Sequence, residues 1–243
     1  MKKILILSDN LFLAEQFVEI YKSNGYPLDH LKIGYNPKGS PLSMFKNIEG
    51  VEVLPMNVKL DYSMIVSNFD MVFSIHCKQL FPKELVEGIK CINVHPGLNP
   101  FNRGWFPQVF SILNKLPLGA TIHEIDEELD HGPIIAQQEV RIDSSDTSLS
   151  AYEKVQQAEV ELLKKYLPQL MNGNYQSTPM PSEGNLNLKK DFDALCELDL
   201  SKTQTIGETI DLLRALTHGD YKNGWFLDPT SEEKVYISIQ LSN

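Results

Sequence analysis

The first hundred residues carry five short apolar runs, each closed by polar or turn-forming residues: Lys2 to Leu7, Leu31 to Tyr35, Val51 to Leu54, Asp70 to His76 and Cys91 to His95. Helical spacing over Leu11 to Tyr21 separates the first two, and apolar segments at Tyr62 to Val66 and Glu84 to Ile89 fall between later ones. Strands alternating with helices predict an α/β fold, a Rossmann-like doubly wound, mainly parallel sheet covered on both faces. Ligands of such sheets collect at the carboxyl ends of the strands. Here those ends are Ser8-Asp9-Asn10, His76-Cys77-Lys78 and His95-Pro96-Gly97. No G-x-G-x-x-G follows the first strand and no G-x-x-x-x-G-K-[ST] occurs, so neither an ordinary dinucleotide site nor a P-loop is expected.

Beyond this sheet the pattern predicts a helix over Phe106 to Leu113, strands over Ala120 to Ile125 and Ile134 to Ile142, and a long helix over Ser148 to Met171. Val155, Ala158, Leu162 and Tyr166 give that helix a core-facing stripe. The segment Asn172 to Asn187, rich in Asn, Gly, Pro and Ser, reads as a linker. Residues 1–172 are therefore expected to form a catalytic domain. Residues 173–243 are expected to be the linker and a small α+β extension, with a helix at Ile206 to Leu216 and strands at Trp225 to Leu227 and Val235 to Leu241. About 50 residues are too few to fold alone with much margin.

Composition narrows the function classes. With 22 Lys+Arg against 32 Asp+Glu, the net charge of −10 argues against nucleic-acid binding through phosphate neutralisation. No window approaches ~18 apolar residues, which argues against a membrane span. The opening MKKILILSDN reads as a first strand, with no sign of a secretion signal. Cys77, Cys91 and Cys196 are odd in number and far apart, which fits reduced thiols rather than a disulfide framework. His76, His95, His123 and His131 form no H-E-x-x-H motif, and no metal site is expected.

The stretch from Cys91 to Gln138 concentrates the chemistry. Asn93 and His95 lie two residues apart on a strand and project from one face at its carboxyl end. If the acidic loop Asp126 to Asp130 folds back over that end, Asp130 meets His95, favours the protonated imidazole and moves its titration into the physiological range. Asn93 then offers a neutral donor to an oxyanion. The set suits acyl transfer without a nucleophilic Ser or Cys. Arg103 and Trp105 sit in a loop that either packs locally or lines the cleft, and Lys78 is either an exposed lysine or a point charge for a diphosphate. Tyr221, Asn223 and Trp225 crowd a short tail loop that is either a packed hairpin or a stacking platform for a base.

Asn-x-His-Pro, the Arg103-Gly104 pair, Thr-x-His and Asp130-His131-Gly132-Pro133-Ile134-Ile135, in this order and spacing, resemble the core of the folate-dependent formyltransferases. The longer run from His95 to Gln137 is more narrowly similar to nucleotide-linked aminosugar N-formyltransferases, particularly those acting on dTDP-4-amino-4,6-dideoxyglucose. The resemblance implies Asn93, His95 and Asp130 as catalytic residues and 10-formyltetrahydrofolate as co-substrate. It places the pterin against the strand end bearing His76, Cys77, Gln79 and Leu80 and near His123 and Asp126. It leaves Ser8, Asp9, Asn10, Lys78, Arg103, Trp105, Tyr221, Asn223 and Trp225 to the nucleotide sugar. It also implies a cytoplasmic homodimer feeding surface-glycan (O-antigen) assembly. Alternatives are a formyltransferase for a 3-amino sugar nucleotide, GDP-perosamine or glycinamide ribonucleotide, a formyltetrahydrofolate hydrolase, or a non-catalytic binding module.

Overall fold

The computed structural model describes residues 2–39, 42–45 and 48–242. Its first half alternates β1 (Ile4–Ser8), α1 (Leu11–Ser23), β2 (Leu31–Tyr35), β3 (Glu52–Pro55), α2 (Val58–Asn68), β4 (Met71–Ile75), α3 (Lys83–Gly88) and β5 (Lys90–His95). These five strands lie parallel in the order β3-β2-β1-β4-β5. Every residue of β1 and β4 is buried, which explains why they read as continuous apolar runs rather than alternating ones. Ile4 and Ile6 enter one core with α1 and the later helices, while Leu5 and Leu7 enter a second with Val58, Ile65 and Leu85. The sheet is thus filled on both faces, as expected. Asn10 starts α1 by accepting a hydrogen bond from the Leu13 amide on its side chain, 3.0 Å away, two residues after β1 ends at Ser8.

After β5 come the two-residue β6 (Arg103–Gly104), α4 (Pro107–Asn114), β7 (Leu118–Glu124) and β8 (Ile134–Val140). β7 and β8 extend the sheet antiparallel, with His95 opposite Thr121 and Asn93 opposite His123. α5 (Ser148–Asn172) then crosses the sheet, packing on β7, β8 and α1, and ends at Gly173 in the left-handed conformation. Among the described residues no helix is long and apolar enough to cross a membrane.

The remainder contains β9 (Leu186–Asn187), α6 (Lys189–Cys196), α7 (Ile206–Leu216), β10 (Trp225–Leu227) and β11 (Lys234–Tyr236). The expected last strand is shorter than predicted, pairing only over Lys234–Tyr236. The expected linker is more structured than its composition suggests. Thr178 bridges to Ile134, and β9 pairs in parallel with β6. α6 has no sequence signature beyond Phe192, which is buried against Phe106 with ring centroids 4.2 Å apart. α7 packs on α4, and Ala215 and Leu216 join the main core, so the tail extends the principal domain.

Candidate active site

β5 delivers Asn93 and His95 to its carboxyl end, and the loop between β7 and β8 returns Asp130 to meet them. That return depends on Gly132, where any Cβ would collide with the Glu124 carbonyl. Asp130 itself has φ 50, a conformation costly for a non-glycine residue. The strain is held by its neighbours: Asn99 donates to the Asp130 carbonyl at 2.8 Å, and Arg103 to the Leu129 carbonyl at 3.1 Å. Through its side chain Asp130 accepts from Asn93 Nδ2 at 3.0 Å on one oxygen and from the Gly104 amide at 3.1 Å on the other.

The second Asp130 oxygen also stands 3.5 Å from His95 Nδ1. The contact is longer than a hydrogen bond and acts through charge, setting a carboxylate beside Nδ1 and leaving Nε2 on the far side of the ring. That Nε2 is buried and has no hydrogen-bond partner among the described residues. Burial lowers the His95 pKa, with His76 and Arg103 adding to the effect, while Asp130 pulls it upward. This corrects the expectation of a titration held up by the carboxylate. The imidazole is 4 % exposed, and desolvation of its cation outweighs the aspartate.

His123 fixes the orientation of Asn93. Its Nδ1 lies 2.7 Å from the Glu124 carbonyl and must donate there, so Nε2 accepts from Asn93 Nδ2 at 3.1 Å. Burial pushes the His123 pKa down to about 4, which keeps the ring neutral. Both Asn93 amide hydrogens are therefore engaged, one by His123 and one by Asp130. His123 was expected against the pterin; its ring is 1 % exposed and its hydrogen bonds go to Asn93 and the backbone.

The other predicted residues divide between struts and accessible groups. Ser8 hydrogen-bonds within the turn to Asn10, and Asp9 accepts from the Asn36 and Lys78 amides at 3.1 Å, joining the ends of β1, β2 and β4. Gln79 bridges the Val58 amide and the Met56 carbonyl, and burial pushes the Cys77 thiol up to about 12. Asp126 accepts from the Glu128 amide and contacts His131 Nδ1 at 2.8 Å. The Arg103 guanidinium is buried as a clamp on the Asp130 loop, whereas Lys78, Leu80 and Tyr221 are exposed. Trp105 is half-buried and its amide donates to Asn187 O; Asn223 closes its own loop on the Leu216 carbonyl; Lys234 covers one face of Trp225 at 3.6 Å. The ring nitrogens of His76 are engaged by Tyr152 and the wholly buried Glu159 of α5.

Sequence reasoning missed Asn99, Asn102, Tyr152 and Glu159. An acidic residue at 159 continues the buried stripe of Val155 and Leu162, and that misplaced charge was the available signal. A cavity of about 340 Å³ bounded by Val86, Lys90, Cys91 and Ile125 opens at the amino end of β5, a strand's length from His95. Glu128, His131 and Glu183 also bring ligand-type atoms within 4.8 Å of one another, but on the surface and with His131 committed to Asp126.

Asn93, His95 and Asp130 thus converge at the carboxyl end of β5 in a mainly parallel sheet. Residues 41–167 match the formyl transferase family model, and residues 191–243 match the N-formyltransferase dimerization C-terminal domain. The chain belongs to the formyl transferase family. It is 43 % identical over 238 residues to the dTDP-4-amino-4,6-dideoxyglucose formyltransferase of Mycobacterium tuberculosis, covering 98 % of this chain and 96 % of that one. It superposes on a 4-N formyltransferase from Francisella tularensis with a TM-score of 0.91 at 44 % identity, covering 100 % and 98 % of the two chains. The formyltransferase PseJ from Anoxybacillus kamchatkensis, solved in complex with UDP-4,6-dideoxy-4-formamido-L-AltNAc and tetrahydrofolate, aligns with a TM-score of 0.61 at 29 % identity over 79 % of this chain and 88 % of that one.

Proposed function

We propose that this protein moves a formyl group from 10-formyltetrahydrofolate to the 4-amino group of dTDP-4-amino-4,6-dideoxyglucose. The observation that carries the reaction is the buried, unpartnered His95 Nε2, with the Asp130 carboxylate beside Nδ1 on the other side of the ring. A buried polar atom without a protein partner is what a ligand is expected to satisfy. The co-substrate supplies the formyl carbon. The chain's own work is to take a proton from the attacking amine on His95 Nε2, with Asp130 stabilising the imidazolium that results. As His95 gains charge, Asp130 shifts its allegiance from Asn93 to the imidazolium and frees one Asn93 hydrogen for the oxygen that becomes negative; the bond from the formyl carbon to the folate nitrogen then breaks, and the proton on His95 Nε2 passes to that nitrogen. His123 keeps the other hydrogen and so prevents the amide from flipping. Holding amine and formyl group together contributes up to ~7–11 kcal/mol in favourable intramolecular cases.

The folate side of the cleft is assigned to the loops that carry Leu80 and Asp126, and the nucleotide side to Asn10, Lys78 and the tail loop. The dTDP 4-amino sugar is drawn from the 43 % identical relative, and the folate donor from the tetrahydrofolate-bound neighbour. A homodimer formed through residues 191–243 and a cytoplasmic location complete the reading. Folate release is to be followed with 10-formyltetrahydrofolate and a panel of dTDP-, UDP- and GDP-linked 4-amino and 3-amino sugars. Turnover with the dTDP 4-amino sugar, abolished in His95→Ala, is the expected result. Release without any amine would make the protein a hydrolase, and silence across the panel would remove the acceptor.

A further inference from the structure

Glu159 lies on the core face of α5 with no exposed surface, among Val155, Leu162 and Leu163. A carboxylate there is unfavourable unless paired, and burial raises its pKa while His76 opposes the rise. Both its oxygens stand 2.9 Å from His76 Nε2. Equal distances place one N–H, that of Nε2, between two acceptors, and the Asn10 Nδ2 donor 3.5 Å from Nδ1 suits an Nδ1 that accepts. Nδ1 lies 2.9 Å from the Tyr152 hydroxyl, which is then the donor. Burial pushes the Tyr152 pKa well up from its ordinary value, so this hydroxyl keeps its proton and is neither nucleophile nor base. Tyr152 in turn accepts from Asn10 Nδ2 at 3.0 Å, and Asn10 Oδ1 caps α1.

The direction of every hydrogen bond from Asn10 inward is thus set by one carboxylate. From Tyr152 the contacts also reach the tail loop. The Tyr152 ring is 5.5 Å from His218, which is 5.7 Å from Tyr221 and holds Ser148 at 3.0 Å. None of the hydrogen bonds described here runs from this chain to Asn93, His95 or Asp130.

We infer that Glu159 and His76 are positioning residues for the nucleotide-sugar half of the site, acting through Tyr152 and Asn10 at the carboxyl ends of β1 and β4. This rests on the proposed function, and wild-type turnover and dTDP binding are measured first to test that reading separately. Glu159→Gln retains the shape and an acceptor but loses the charge that orders the chain. It is expected to raise the KM for the dTDP sugar, and the Kd for dTDP alone by calorimetry, by about tenfold, the loss of one charge-assisted hydrogen bond. KM for the folate and kcat should stay within about twofold. Tyr152→Phe removes only the hydroxyl and should reproduce the same split, so the inference survives a Glu159 variant that fails to fold. In the ligand-free parent, the 15N shifts of His76 should report a protonated Nε2 and a bare Nδ1. A loss confined to kcat, unchanged affinity for dTDP in both variants, or the opposite His76 tautomer would each overturn it. Wild-type protein that neither binds dTDP nor uses its sugar would instead remove the substrate reading on which it stands.

Discussion

A methyl group at position 97 would fall well inside contact distance of His95 Nε2, the atom assigned to take the amine's proton. Gly97→Ala is therefore predicted to lower kcat by about a hundredfold, the scale of a displacement of roughly 1 Å in a catalytic group, while circular dichroism still reports the native fold. The lowered His95 pKa makes a second prediction: neutral imidazole persists below the ordinary value of about 6.5, so kcat/KM should hold flat through that pH and fall only beneath it. Stability carries a related sign. His123 has a folded pKa of about 4 against 6.5, so between those values the unfolded chain binds more protons than the folded one. Stability is then full above about pH 6.5 and is lost toward pH 4, by on the order of 3 kcal/mol from this one ring. Thermal melting across that window should show the fall, and His123→Phe should flatten it; an equally steep slope in the variant would assign the effect elsewhere. Asn93 and His95 were legible as neighbours because strand alternation puts them on one face, whereas Asp130 was singled out of its acidic loop by the family resemblance. Glu159 was not, because its partner His76 lies 83 residues away and a helix stripe records burial without recording what the buried group touches.

Among the elements, the pairing of β6 with β9 decides whether the Asp130 loop is held. Arg103 and Trp105 donate backbone hydrogens to Asn185 and Asn187, which places the Gly104 amide against Asp130. Asn102 locks the junction: it is fully buried, its Oδ1 accepts from Asn114, Asn185 and Asn187, and its Nδ2 donates to Ser111. Asn102→Ala leaves those amides without their acceptor and is predicted to cost about 2–3 kcal/mol by denaturant unfolding, with kcat falling through the misplaced Gly104 donor. A variant as stable and active as the parent would show that the linker merely connects. The five parallel strands and α5 were readable because burial on both faces, or on one stripe, writes a period into the chain. β6 and β9 have two residues each, too few for any period, and α6 is held chiefly by Phe192. These are elements made by their partners, which is why Asn172 to Asn187 looked like a plain linker.

At the scale of the whole molecule the tail has two apolar sides. α7 gives Ala215 and Leu216 to the core and anchors itself through Arg214, whose Nη1 donates to the Asp143 and Asp146 carbonyls at 3.1 and 2.8 Å. Its other side presents Ile206, 79 % exposed, and Ile210, 42 % exposed, one turn apart on a single face. Nearby in sequence, the two-stranded β10–β11, tied to the rest by the Glu197–Trp225 bridge, exposes Leu227, Val235 and Tyr236, and so small a ribbon is marginal unless something covers it. All five residues fall within 191–243, the segment matched to a dimerization domain. A second copy of the chain is the proposed cover, and light scattering should report a dimer at about 10 µM, where an interface of ordinary affinity is saturated. Ile206→Asp with Ile210→Asp should give a monomer. The first substitution puts an acidic residue in the opening turn of α7, where the helix dipole favours it, so loss of the dimer would not reflect a melted helix. Because Arg214, Ala215 and Leu216 still fasten α7 to the core, the monomer should melt at a lower temperature yet keep the kcat set by His95. A parent that is monomeric at that concentration, or a double variant that stays dimeric, would move the interface off this face.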